Sequence, residues 1–144
     1  MNSVSTDIAR ERKVVTSIPG PESIKLHERR NKVVSGGVSV SFPVYIERAS
    51  GAVLVDVDGN QIIDFGGGIG VTTIGHTNEA VVDAAMEQAN RFTHTLFQVT
   101  GYESYIRLCE LLAQHTPGNF EKKSVLLNSG AEALENAVKI SRKF

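Results

Sequence analysis

Near the end of the chain a short apolar run, Ser124-Val-Leu-Leu127, passes through Asn128-Ser129-Gly130-Ala131 straight into Glu132-Ala-Leu-Glu-Asn-Ala-Val-Lys-Ile-Ser-Arg-Lys-Phe144. The pattern predicts a strand, a tight turn of small residues and a helix, because the last stretch is dense in strong helix formers. Glu132 and Glu135 stand near the helix start and Lys139, Arg142 and Lys143 near its end, which complements the helix dipole. The spacing also sets Glu135 four residues before Lys139 for an ion pair. A strand that feeds a helix in this way is buried on both faces of a parallel sheet and needs neighbouring strands, yet no later strand follows. The expectation is an α/β protein of which these 144 residues form only the front part.

Upstream, residues 1–21 are polar and end in Pro19-Gly20-Pro21, a stiff turn that reads as the close of an extended lead-in. A short charged helix is expected from Glu22 to about Lys32, before Ser35-Gly36-Gly37. Pro43-Val-Tyr-Ile46, Val53-Leu-Val-Asp-Val57 and Gln61-Ile-Ile-Asp-Phe65 read as the strands of a small antiparallel meander, with Asp58-Gly59-Asn60 as a turn. Helices follow at 78–91, where Val82, Ala85, Met86 and Ala89 share one face, and at 102–115, where Tyr105, Leu108, Cys109 and Leu112 do. Pro117-Gly118 stops the second of these.

Composition excludes several function classes. Fifteen Lys plus Arg against sixteen Asp plus Glu give a formal net charge of -1, which removes the electrostatic case for nucleic-acid or polybasic membrane binding. A single cysteine, Cys109, supports neither an internal disulfide nor a multi-cysteine metal site, so a reducing cytoplasm is the expected location. No apolar run is long enough to span a bilayer, and the first residues lack the apolar stretch of a secretory signal.

The turn Asn128–Ala131 has two readings that stay open at this level. Backbone N–H groups at a helix start favour an anion, and Gly130 admits a phosphate close to the backbone. Ser129-Gly-Ala-Glu132 also fits a capping box, in which the helix start satisfies itself. Gly66-Gly67-Gly68-Ile69-Gly70 matches neither the dinucleotide fingerprint nor a P-loop, and offers close backbone approach or the wall of a cavity. Asp56-Val-Asp58-Gly59-Asn60 lacks the glycine and glutamate spacing of a calcium loop. His27, His76, His94 and His115 show no metal-ligand spacing, so no metal site is expected and none is assigned to catalysis.

A series of motifs adds more. Val55-Asp-Val-Asp-Gly-Asn-Gln-Ile-Ile-Asp-Phe65, Gly67-Gly-Ile-Gly-Val71, Gly75-His76, His94-Thr-Leu-Phe-Gln-Val99, Tyr102-Glu-Ser-Tyr105, Pro117-Gly118 and Asn128-Ser-Gly-Ala-Glu-Ala-Leu-Glu-Asn-Ala-Val-Lys139 follow one another in order. This ordered series resembles the N-terminal part of the class III pyridoxal-phosphate-dependent aminotransferases, above all those acting on 4-aminobutyrate. The resemblance implies a fold type I α/β architecture, with residues 1–75 in a small domain and 76–144 opening the cofactor-binding large domain. It implies pyridoxal 5'-phosphate as cofactor, with Ser129, Gly130 and Ala131 at its phosphate, Gln98 near it, and Ile69 at the substrate. It implies a homodimer that moves the amino group of 4-aminobutyrate or a similar ω-amino acid to 2-oxoglutarate. The lysine that holds the cofactor in this family lies beyond Phe144, so no residue here is catalytic and the segment alone is expected to be inactive. The rivals are another ω-aminotransferase, acting on ornithine, acetylornithine, diaminobutyrate or β-alanine; a non-catalytic truncated product; and a small phosphate-binding βα module.

Overall fold

The structure, a computed structural model, describes residues 8–144, so the first seven residues of the expected lead-in lie outside it. The chain divides into two compact units, one running to Arg91 and the other from Phe92 to Phe144.

In the first unit the helix α1 (Pro21–Val33) begins on proline, whose missing N–H costs nothing at a first helical position. No local side chain caps it. Its cap arrives from far along the chain, where the Asp58 carboxylate accepts from Glu22 N at 2.7 Å and Ser23 N at 3.0 Å. That approach explains Gly20, since a Cβ there would run into the Asp58 carboxylate.

The meander follows as β1 (Ile46–Ser50), β2 (Val53–Asp56) and β3 (Gln61–Ile63), antiparallel and in sequence order. Its register pairs Ala49 with Leu54 and Leu54 with Ile62, with an irregularity between Ile46 and Arg48. The first strand therefore lies later than the expected Pro43–Ile46. Pro43 has no N–H to give a ladder, and Val44 N turns back to Phe42 O at 2.7 Å, so regular pairing starts only at Ile46. Tyr45 keeps one bond beside the ladder, from Val57 N at 2.9 Å. The third strand ends at Ile63, short of the expected Phe65, and Phe65 is exposed.

The turn between β2 and β3 is the most buried polar site of this unit. Asp56 and Asn60 are fully buried, as is Ser23, beside an apolar core of Ile8, Val53 and Val55. Asp56 Oδ1 accepts from Asn60 N at 2.7 Å and Asp58 N at 3.0 Å. Asn60 Nδ2 donates to Asp56 Oδ2 and Thr16 Oγ1, while its Oδ1 accepts from Val15 N and Thr16 N. With the Lys13–Gln61 bridge, these bonds lay the lead-in along the edge of β3. A four-residue turn, α2 (Gly67–Gly70), and the helix α3 (Glu79–Arg91) complete the unit.

The second unit carries α4 (Glu103–His115) and α5 (Gly130–Lys143). Phe97 stacks on Tyr105 with centroids 4.0 Å apart, and Tyr102 meets Phe92 and Phe97 edge-on, which anchors the 92–99 segment to the start of α4. Residues 124–127 form no strand, contrary to the sequence pattern. A strand requires a neighbour to pair with, and here the segment takes its bond from a side chain: Leu126 N donates to the Tyr105 hydroxyl at 2.9 Å. The helix that follows is capped as expected, with Ser129 Oγ accepting from Glu132 N at 3.2 Å and Glu132 Oε2 accepting from Asn128 N and Ser129 N. The Glu135–Lys139 ion pair forms at 2.6 Å.

None of the described residues of α3, α4 or α5 is fully buried, and Val82, Met86, Leu108, Leu112, Leu134 and Val138 are exposed. Among the described residues no helix is long and apolar enough to cross a membrane.

Asn60→Ala removes the acceptor of two part-buried backbone N–H groups and the donor to a buried carboxylate oxygen, and should cost about 2 kcal/mol of stability in the first unit. Denaturant titration read by hydrogen exchange at Val15 and Thr16 checks this. Ser129→Ala should lower the stability of α5 by about 1 kcal/mol, whereas Ser129→Asp keeps it, as measured by circular dichroism during urea unfolding.

Candidate functional site

At the start of α5 the backbone at Ser129 is extended, with φ −144° and ψ 158°, before the helix begins at Gly130. The capping box consumes the N–H groups of Asn128, Ser129 and Glu132. Among the described residues it leaves the N–H groups of Gly130 and Ala131 without a partner. These two stand on the first helical turn, where the dipole of a 14-residue helix concentrates positive potential. A Cβ added at Gly130 would meet nothing within 4 Å, so nothing crowds the backbone on that side of the glycine. The residues present therefore fit a phosphate group: two adjacent N–H donors on the first turn, a favourable dipole and a glycine with no Cβ. The capping box and an anion at this corner are compatible, because they use different N–H groups.

Gln98 lies in the turn closed by Leu96 O, which accepts from Val99 N at 2.8 Å and Thr100 N at 2.9 Å. Its neighbour Phe97 is half-buried in the aromatic cluster while Gln98 itself is exposed, so the packed ring fixes the turn and the amide faces outward. Ser129, Gly130 and Ala131 thus share one corner, and Gln98 occupies a separate turn of the same unit.

Ile69 belongs to the first unit. Gly67, Gly68, Ile69 and Gly70 all have positive φ, at 50°, 60°, 61° and 77°, so the glycine-rich turn is left-handed. Ile69 is 97% exposed at its tip. Sequence reasoning missed two residues that shape this turn. Asp64 Oδ1 accepts from Gly66 N at 2.9 Å and Gly67 N at 2.8 Å, and Asp64 Oδ2 lies 2.8 Å from His76 Nε2. The His76 bond, followed by the N–H groups of Gly67 and Gly66, holds the Asp64 carboxyl below the usual carboxylate range. The available signal was an aspartate two residues ahead of paired glycines, a side chain suited to gathering the next N–H groups.

Four of the seven lysines have partners. Lys25, Lys123 and Lys139 pair with Glu22, Glu121 and Glu135, and Lys122 donates to Gly118 O.

Comparison with known proteins bears on family and fold. The Aminotransferase class-III family model matches residues 35–144. A 4-aminobutyrate aminotransferase of Mycobacterium leprae (strain TN) is 51% identical over 139 residues, which cover 96% of this chain and 31% of that protein. An ornithine aminotransferase from Toxoplasma gondii ME49 has a similar structure, with a TM-score of 0.75 at 31% identity over 84% of this chain and 27% of that one. An omega-transaminase from Sphaerobacter thermophilus also gives a TM-score of 0.75 at 31% identity, over 86% of this chain and 28% of that one. The chain spans less than a third of the length of these relatives. The expected fold class is thereby borne out, as a part of the larger aminotransferase architecture. With the family match running through both the glycine turn and the α5 corner, this chain belongs to the class III aminotransferase family.

Proposed function

We propose that the protein containing this chain is a pyridoxal-phosphate-dependent transaminase. In this reading it transfers the amino group of 4-aminobutyrate, or a similar ω-amino acid, to 2-oxoglutarate. The observation that carries the proposal is the pair of N–H groups at Gly130 and Ala131 that the capping box leaves unused at the start of α5, with no crowding around Gly130. The cofactor, when bound, supplies an electron sink for removal of a proton from the carbon bearing the amino group. The residues of this chain bind and orient. Gly130 and Ala131 donate to the cofactor phosphate, Ser129 holds the corner in its extended shape, and Gln98 offers an amide beside the cofactor. Ile69 supplies an apolar wall for the methylene chain of the amino donor.

The proposal places the covalent lysine outside residues 1–144 and treats these residues alone as inactive. In support, Lys25, Lys122, Lys123 and Lys139 are engaged in surface contacts. Residues 1–75 are assigned to the small domain and 76–144 to the start of the large one, in a homodimer. Cys109, a free thiol, suits a reducing cytoplasm. The name of the Mycobacterium leprae relative favours 4-aminobutyrate, and the Toxoplasma gondii structure keeps ornithine as the second donor to assay.

The test is Gly130→Val in the holoenzyme, compared with Gly36→Val. Neither glycine has a positive φ, and an added Cβ meets nothing within 4 Å at either position, so both variants should fold. Gly130→Val should weaken cofactor retention by about tenfold or more, since a lost pair of charge-assisted hydrogen bonds is of that order, while Gly36→Val leaves retention unchanged. Retention is measured by absorbance of bound cofactor during dialysis. Equal retention in the two variants would refute the phosphate assignment.

A further inference from the structure

The left-handed turn at residues 67–70 asks for an explanation that glycine content does not supply. Glycine accepts a positive φ freely, but Ile69 is β-branched, and its φ of 61° with ψ of 57° lies in a region such residues rarely enter. Packing does not hold it there, because its side chain is 97% exposed. Hydrogen bonds do. Gly66 O accepts from Ile69 N at 2.8 Å, and Gly67 O accepts from Val71 N and Thr72 N at 2.8 and 2.9 Å. Asp64 Oδ1 in turn fixes Gly66 N and Gly67 N, the two residues on which those carbonyls stand.

The second carboxylate oxygen is gripped from outside the turn. His76 Nε2 meets Asp64 Oδ2 at 2.8 Å, and both side chains are mostly covered, at 23% and 12% exposed. His76 is itself immobilised by its backbone, which exchanges both hydrogen bonds with Gly51 in the β1–β2 connection. Asp64 N is bonded to Ala52 O at 2.9 Å in that same connection. The turn is thus tied to the end of the sheet through one carboxylate with two faces.

We infer that Asp64, clasped by His76, is a positioning residue: it sets the handedness of the 66–70 turn and so the direction in which Ile69 is presented to the amino donor. This rests on the reading of Ile69 as part of the substrate wall. Strain held by a network and released at an exposed apolar side chain is the expected mark of a functional position. An apolar wall contacts the donor chain equally before and during reaction, so its displacement raises KM and leaves kcat nearly unchanged.

The test is a double-mutant cycle in the holoenzyme, assayed with 4-aminobutyrate and 2-oxoglutarate. Ile69→Ala and Asp64→Ala should each raise the KM for 4-aminobutyrate about tenfold, the usual scale for lost apolar contact, with kcat within about twofold. The double variant should show no more than the larger single effect, because Asp64 acts through Ile69. Asp64→Asn, which keeps an acceptor for Gly66 and Gly67, should restore most of the affinity. Should Asp64→Ala fail to fold, His76→Ala carries the same cycle against Ile69→Ala. Additive effects, or an unchanged KM in Asp64→Ala with a raised one in Ile69→Ala, would overturn the inference and leave the substrate wall standing. An unchanged KM in Ile69→Ala would remove the wall itself, and the inference with it.

Discussion

The first unit is organised around the buried hydrogen bonds between Asp56 and Asn60. Both side chains are fully buried, and each polar atom of the Asn60 amide has a partner. Through Asn60 the β2–β3 turn holds Val15 and Thr16 of the lead-in, and through Asp58 the same turn caps α1. A buried amide left without partners costs several times what a satisfied one contributes, so such a network punishes every wrong arrangement more than it rewards the right one. That matters here because Ile8, Val53 and Val55 are the only described apolar residues that are buried. Burial drives weakly in this unit, and polar geometry selects the conformation.

The same device recurs along the chain. Asp56 gathers the N–H groups of Asp58 and Asn60, Asp58 those of Glu22 and Ser23, Asp64 those of Gly66 and Gly67, and Glu132 those of Asn128 and Ser129. In each case one carboxylate takes two backbone donors that lie one or two residues apart. The device fixes loops without needing a large core. It suits a segment whose helices α3, α4 and α5 keep apolar faces such as Val82, Leu112 and Val138 uncovered in the chain taken alone.

What was legible in the sequence follows from the range of the interaction concerned. Helices were legible because their signals are local: Glu22–Lys32, 78–91 and 102–115 became Pro21–Val33, Glu79–Arg91 and Glu103–His115. The capping box at Ser129 and Glu132 and the Glu135–Lys139 pair were legible for the same reason. Strands depend on partners, and there the reading slipped. Pro43–Ile46 has the composition of a strand, yet pairing runs from Ile46 to Ser50; residues 124–127 are the apolar run of a buried strand, and among the described residues no strand pairs with them. The cap that Asp58 lends to α1 spans 35 residues, beyond any local pattern. At the candidate site the Gly130–Ala131 corner was readable from the helix start, whereas the handedness of Gly67–Gly70 was not, because glycine permits either hand and Asp64 with His76 chooses one.

The recurring carboxylate pairs also sharpen what is different about Gly130 and Ala131. They are two adjacent backbone donors of the kind that Asp58, Asp64 and Glu132 each take elsewhere, placed where a helix dipole adds to their potential. Glu132, the carboxylate in the first turn of the helix, is already bound one step earlier, to Asn128 and Ser129. Were the helix start built only for stability, a carboxylate reaching the next two donors would serve better than open space. In the proposed reading a dianionic ligand with several oxygens is the acceptor for these two donors, and the capping box is the frame that leaves them free for it.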